Sequence, residues 1–272
     1  MLLFVVVGVV LFLTRSWSDR AIGVAAVVLL LQPVEWYHYI ANLINPAHRL
    51  PDLKVAEMYG EVADYTKAGN WRDFLLGNVT LGQKASFLWA VNAGRFVQTA
   101  GLFLLVFFIG RKQLFMTNEK NIVFWTKVLI ISAISFAPLY TLKELVMEND
   151  PIVQQTVGTA FDMWQKLAFT LVLVASFILL YQHKNFSKAV AGLRFYGKMS
   201  LTNYISQSII GVFIYFPIGL NLAPYCGYTL SLSVGFLIFL LQLKFCKWWL
   251  ARHKQGPLEY IWHKCTWIGT GK

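Results

Sequence analysis

Long unbroken apolar runs constrain this chain more than any motif does. Residues 1–14, 21–42, 86–110, 122–141, 160–182, 201–222 and 228–250 each reach or approach the roughly 20 residues that a helix needs to cross a hydrocarbon core. In lipid only helices and closed barrels satisfy their own backbone, and barrel strands alternate apolar with polar residues. These runs do not alternate. The sequence therefore predicts an all-α fold, a polytopic transmembrane helical bundle of about seven spans. Composition agrees, with 57% hydrophobic residues, 14% charged and a mean hydropathy of +0.55. A soluble domain carries about a quarter charged residues.

Orientation follows from lysine and arginine. Fifteen of them fall in one set of alternate loops: Arg15, Arg20, Arg111, Lys112, Lys120, Lys184, Lys188, Arg194, Lys198, Lys244, Lys247, Arg252, Lys254, Lys264 and Lys272. The other loops hold seven, at Arg49, Lys54, Lys67, Arg72, Lys84, Lys143 and Lys166. Cationic loops stay inside, so the C-terminus is expected to be cytoplasmic. The formal net charge of +11 is thus a topology signal that also favours anionic lipid head groups. Nucleic acid is excluded as a partner.

The chain reads as a single membrane domain over 1–272. Residues 45–85 form an extracytoplasmic segment in which Val55, Met58, Tyr59 and Val62 recur at amphipathic helical spacing. Residues 250–272 form a cytoplasmic tail. Counting back from an inside C-terminus through seven helices puts Met1 outside, although the first run is short for a span and has no basic flank before it. No cationic start or small-residue cleavage site marks a signal peptide. The expectation is that an odd number of helices precedes Met1.

Trp89, Trp125, Trp164, Trp248 and Trp249 lie near span ends, where aromatic rings anchor to head groups. Cys226, Cys246 and Cys265 are predicted at an outer turn, an inner helix end and the inner tail, so Cys226 is not expected to pair with the other two, and no metal-ligand spacing appears.

Ionisable residues inside a membrane are costly and mark candidate sites. Arg95 lies about ten residues into its run, roughly 15 Å deep at 1.5 Å per residue. Asn92, Gln98 and Thr99 share its helix face. Glu35 lies beside Gln32, Pro33 and His38, and Pro33 is expected to kink that helix and free a carbonyl. Glu35 and Arg95 fall at similar depth, which predicts a buried pair with His38 nearby. Glu35, His38, Asn92 and Arg95 form the candidate intramembrane polar site. Lys143, Glu144, Asp162 and Lys166 gather at the outer ends. No HExxH, Walker loop or nucleophile elbow accompanies these residues, so the residues specify no catalytic group, metal or cofactor.

Two further stretches are distinctive. YGKMSLTNYISQS, residues 196–208, opens a greasy run with polar residues, among them Lys198, Ser200, Thr202, Asn203 and Gln207. Ser200 suits an N-cap, and Ser200, Asn203 and Gln207 fall on one helix face. A helix start beside Lys198 suits an anionic group such as a lipid or acyl-donor phosphate. QGPLEYIWHK, residues 255–264, carries Gly256, Pro257, Glu259 and Trp262.

Both stretches resemble signatures of the YeiB-like family of bacterial inner-membrane proteins, domain of unknown function family 418. Weaker similarity runs through residues 94–111 and 32–36. Lys198 stands where arginine is common in the family, and Tyr260 where tryptophan is. Family members are longer and begin with several further spans. The family is similar to transmembrane acyltransferases, which implies the handling of acyl groups from a cytoplasmic donor. The reactive histidine of those relatives lies early in the bundle, so no catalytic residue is carried onto this chain. A transporter for a small polar or anionic solute and a non-enzymatic membrane scaffold are the alternatives. The partners expected are the lipid bilayer and an anionic lipid or acyl donor, with the oligomeric state unspecified.

Overall fold

The computed structural model describes residues 2–148 and 150–268. Expectations resting on Met1, Lys272 and the end of the tail lie outside the described residues. Among those described there is no strand. The helices in chain order are α1 (Leu2–Thr14), α2 (Asp19–Leu30), α3 (Pro33–Ile44), α4 (Val55–Lys67), α5 (Trp71–Gly77), α6 (Gln83–Asn92), α7 (Arg95–Arg111) and α8 (Glu119–Met147). After them come α9 (Pro151–Val153), α10 (Thr159–Tyr181), α11 (Lys184–Ala189), α12 (Leu193–Lys198), α13 (Ser200–Tyr215), α14 (Tyr228–Leu250) and α15 (Pro257–Thr266). π-helical turns at Asn78–Gly82 and Gln154–Gly158 join α5 to α6 and α9 to α10.

Three helical stretches, Glu119–Met147, Pro151–Tyr181 and Tyr228–Leu250, are long and apolar enough to cross a membrane. Two bent helix pairs bring the number to five if each pair is one span. The runs at 1–14 and 201–222 become shorter helices of 13 and 16 residues. The second ends early because Phe216 precedes Pro217, and the residue before a proline disfavours helical geometry. Its backbone is extended, at φ −91° and ψ 155°.

The long helices turn large apolar side chains outward, among them Ile131, Ile134, Phe169, Leu173, Phe236 and Leu237. Surfaces this apolar do not persist in water. The chain is a membrane protein.

The chain divides into two compact units, Met1–Gly60 with Val79–Gln182, and Glu61–Asn78 with His183–Lys272. In the first, α2 packs on α7 around buried Ile22, Ala26 and Leu104. Lipid tails are as apolar as leucine, so close packing by small residues such as Ala26 does the work here. Arg111 and Lys112 clasp Asp19 at 3.0 and 2.7 Å, tying the end of α7 to the start of α2. Helices α8 and α10 pack beside them, with Trp125, Ile109 and Ala175 at their core.

Trp125 corrects the anchoring expectation. It is 1% exposed, and its indole N–H donates to the Leu114 carbonyl at 2.8 Å. A buried indole needs such a partner. Near a span end the same residue type serves either a head group or a core, and spacing alone does not separate the two. In the second unit, α12 packs on α14 and α13 on α15, with Met199 and Cys246 fully buried. All three cysteines are free.

Candidate functional site

The apolar run at 21–42 breaks where Pro33 demands it. Proline cannot continue the α2 hydrogen-bond ladder, but its fixed φ suits the first position of a new helix. Pro33 accordingly opens α3, and α2 and α3 meet at 46°. Gln32 makes the turn in the left-handed region, at φ 59°, while 1% exposed. For a residue with a side chain this costs about 1–3 kcal/mol. The carbonyl of Leu30, freed by the break, accepts from the Trp164 indole at 2.8 Å. Trp164 is therefore a brace at the break. We expect Trp164→Phe, which keeps the ring and loses this donor, to cost about 2 kcal/mol, and thermal unfolding in detergent measures it. An unchanged midpoint would show that the brace carries no stability.

The run at 86–110 also breaks. Gly94 turns the chain at φ 60°, and the helix ending at Asn92 bends by 77° into α7. The two breaks meet. A Cβ added to Gly94 would lie 2.6 Å from Glu35 Oε1 and 3.4 Å from the Met163 methyl. Neither α3 nor α7 has a side-chain cap at its start, so both present first-turn N–H groups there.

Two cavities flank the breaks. The first, about 330 Å3, is lined by Glu35, His38 and Asn92, with Gln155 and Thr159 from the helix that includes α10. The second, about 320 Å3, is lined by Arg95 with Gln32, Gln98, Thr99, Lys166 and Thr170. Three of the four sequence-predicted residues thus share one cavity, and Arg95 lines its neighbour. The Glu35–Arg95 pair expected from depth does not form: among the described residues no carboxylate lies within 4.0 Å of Arg95. The turn at Gly94 places Arg95 in the first turn of α7. There its Nη1 donates to Gln98 Oε1 at 2.7 Å, and its guanidinium sits 5.6 Å from the Trp89 ring centre.

His38 has a partner that the sequence analysis passed over. Its Nδ1 lies 3.1 Å from Nε2 of His48, with the two rings stacked. Lys143, Glu144, Asp162 and Lys166 do gather, with Asp162 binding Lys166 at 2.5 Å and Lys143 at 3.3 Å, and Glu144 3.9 Å from Lys143. Among the described residues no group of three or more His, Cys, Asp or Glu side chains is arranged to hold a metal.

In the second unit the two distinctive stretches join. Thr202 N–H donates to Glu259 Oε1 at 3.0 Å, and Thr202 Oγ1 donates to Glu259 Oε2 at 2.5 Å. The same hydroxyl accepts from the Leu258 N–H at 3.2 Å. Each helix start therefore caps the other, α13 through Glu259 and α15 through Thr202. Gly256 is required beside them, because any Cβ there would collide with the Glu259 carboxylate. Ser200 is not the N-cap. Met199 holds that position, and Ser200 is the first helical residue without a side-chain cap. Glu259 places a carboxylate at this helix start.

Further along α13, Asn203 donates to the Tyr196 carbonyl at 3.0 Å and to Cys246 Sγ at 3.3 Å. Gln207 donates to the Tyr196 hydroxyl at 2.7 Å and to Gln242 Oε1 at 3.0 Å. Gln242 returns a bond to Ser206 Oγ at 2.8 Å. Lys198, Ser200 and Trp262 lie exposed, outside this network, while Pro257 opens α15. Sequence analysis missed Gln242, although one glutamine in the apolar LLQL of α14 was a visible signal.

A family model described as protein of unknown function (DUF418) matches residues 109–269. The chain belongs to this family. The DUF418 match takes in the whole Thr202–Glu259 network and stops short of the two helix breaks. Similar curated proteins are the uncharacterized protein YxaH of Bacillus subtilis strain 168, 25% identical over 95 residues, and an uncharacterized 39.9 kDa protein in the amylase 3' region of Bacillus acidopullulyticus, 35% identical over 89 residues. The matches cover 35% and 33% of this chain and 24% and 25% of those proteins. The chain thus spans about a quarter of the length of the curated relatives it matches. No solved structure matches it.

Proposed function

We propose that this DUF418 protein lies in the bacterial inner membrane with its C-terminus inside, binds a small polar solute at the two facing helix breaks, and passes it across the bilayer. The paired breaks carry this reading. Two apolar helices give up regular structure at one place, Gln32 and Gly94, and cavities that each carry several polar side chains open on both sides. Irregular backbone at membrane depth is tolerated where it is buried in protein or lines a cavity, and transporters use such half-helix ends to hold solutes.

A second reading, acyl transfer, is favoured by the His38–His48 contact in the Glu35 cavity. A neutral His38 there would accept the proton of an acceptor hydroxyl. The hydroxyl oxygen would form a bond to the acyl carbon of a thioester donor as the carbon–sulfur bond breaks, and the departing thiolate would take up a proton. In the second unit Thr202 and Glu259, and Asn203, Gln207, Gln242 and Tyr196, bond one another between helices.

Flux through proteoliposomes separates the readings. Vesicles holding the protein are incubated with an isotopically labelled mixture of small phosphates, carboxylates, amino acids and sugars, and mass spectrometry reads their lumen. Accumulation above protein-free vesicles is expected. Label moving from an acetyl thioester to a hydroxylated acceptor, with no accumulation, would replace transport by acyl transfer. Neither result would leave a membrane scaffold.

A further inference from the structure

We propose that the cavity on the Arg95 side of the breaks is an oxyanion site, which holds the phosphate or carboxylate head of a small molecule. This deepens the solute-binding reading and rests on it for taking the breaks as a ligand site. The cavity, about 320 Å3, has room for such a head with a small polar body. Its charged lining has one sign: Arg95 and Lys166, and no carboxylate. Glu35 lines the neighbouring cavity instead.

Two buried donors at this site have no acceptor. Arg95 uses Nη1 on Gln98, while its Nε is buried and unpartnered. Gln32 is 1% exposed, lines the cavity, and its Nε2 is likewise buried without a partner. Buried donors without acceptors are rare in folded proteins and ask for one. The start of α7 adds to the same polarity, since Gly94 provides no side-chain cap and the positive end of a 17-residue helix falls there. Lys166 shares its only ion-pair carboxylate among the described residues, Asp162, with Lys143, which also lies 3.9 Å from Glu144. A guanidinium fork binds carboxylate or phosphate oxygens two at a time. A neutral or cationic solute would leave Arg95 without a counter-charge inside the membrane.

The test is thermal unfolding of the full chain in detergent with inorganic phosphate or acetate, against chloride at equal ionic strength. A parallel arm uses nanodiscs with and without phosphatidic acid. Phosphate or acetate near saturation is expected to raise the midpoint by about 3 °C. Arg95→Gln should abolish the rise and Lys166→Gln should weaken apparent affinity about tenfold. Lys54→Gln, at an exposed lysine that lines neither cavity, should change nothing. If Arg95→Gln does not fold, Lys166→Gln carries the comparison, because that side chain is 54% exposed. A shift from phosphatidic acid alone, lost in the variants, assigns the site to a lipid head group. No shift from any probe, or one that persists in both variants, overturns the proposal. Anion stabilisation without flux would keep the site and discard transport, and flux without stabilisation would do the reverse.

Discussion

Gly94→Ala should lower the unfolding midpoint by about 5–10 °C, on a loss of roughly 2–4 kcal/mol. Two causes add. Alanine in the left-handed region costs about 1–2 kcal/mol. The new methyl would also lie 2.6 Å from Glu35 Oε1, closer than a carbon and an oxygen can approach. Gly110→Ala is the control, since a Cβ there meets nothing within 4 Å. Glu35→Ala in the Gly94→Ala background should recover the steric part and leave the backbone part, so the two changes are less than additive. Simple additivity would mean that the two breaks do not touch.

Breaking the mutual cap between α13 and α15 should cost about 2–3 kcal/mol, because Glu259→Ala removes charge-assisted bonds and strands the Thr202 N–H. The carboxylate also gives the network a pH dependence. Burial alone would raise the Glu259 carboxyl, but the bonds from the Thr202 hydroxyl and N–H outweigh it and hold the group below its ordinary 4.5. A carboxyl depressed in the folded state binds its proton more readily when unfolded. Its stabilisation is therefore complete above 4.5 and fades as pH falls through the lower folded value. Unfolding midpoints measured from neutral pH to well below 4.5 should show the wild type losing, below 4.5, stability that Glu259→Gln never had. Parallel curves for the two proteins would refute the cap. Gly256→Ala should reproduce the loss at neutral pH with the carboxylate still present.

Helical character was legible throughout because apolar runs of this length leave the backbone no other partner in lipid. Pro33 made the first break legible as well. Gly94 did not announce the second, because glycine is frequent in membrane helices, and the side chain that leaves no room for a Cβ there, Glu35, is far away in sequence. The site residues follow the same rule. Depth and helix face could bring Glu35, His38 and Asn92 to one cavity, but the turn that diverts Arg95 from Glu35 depends on a contact between helices. Periodicity tells which side of a helix is polar and is silent on what meets it. For this reason Asn203 and Gln207 stood out on their own helix while Cys246 and Gln242, their partners on α14, did not.

The mutual cap also sets an order of events during synthesis. The ribosome makes Thr202 57 residues before the carboxylate that completes its helix start. Through that interval α13 must lie with an open amino end, borrowing bonds from water or lipid head groups. Only when the segment around Glu259 has been made and has folded back does the start of α13 gain its cap. The segment around Glu259 thus completes a helix start made earlier, and a chain stopped short of it would leave that start uncapped.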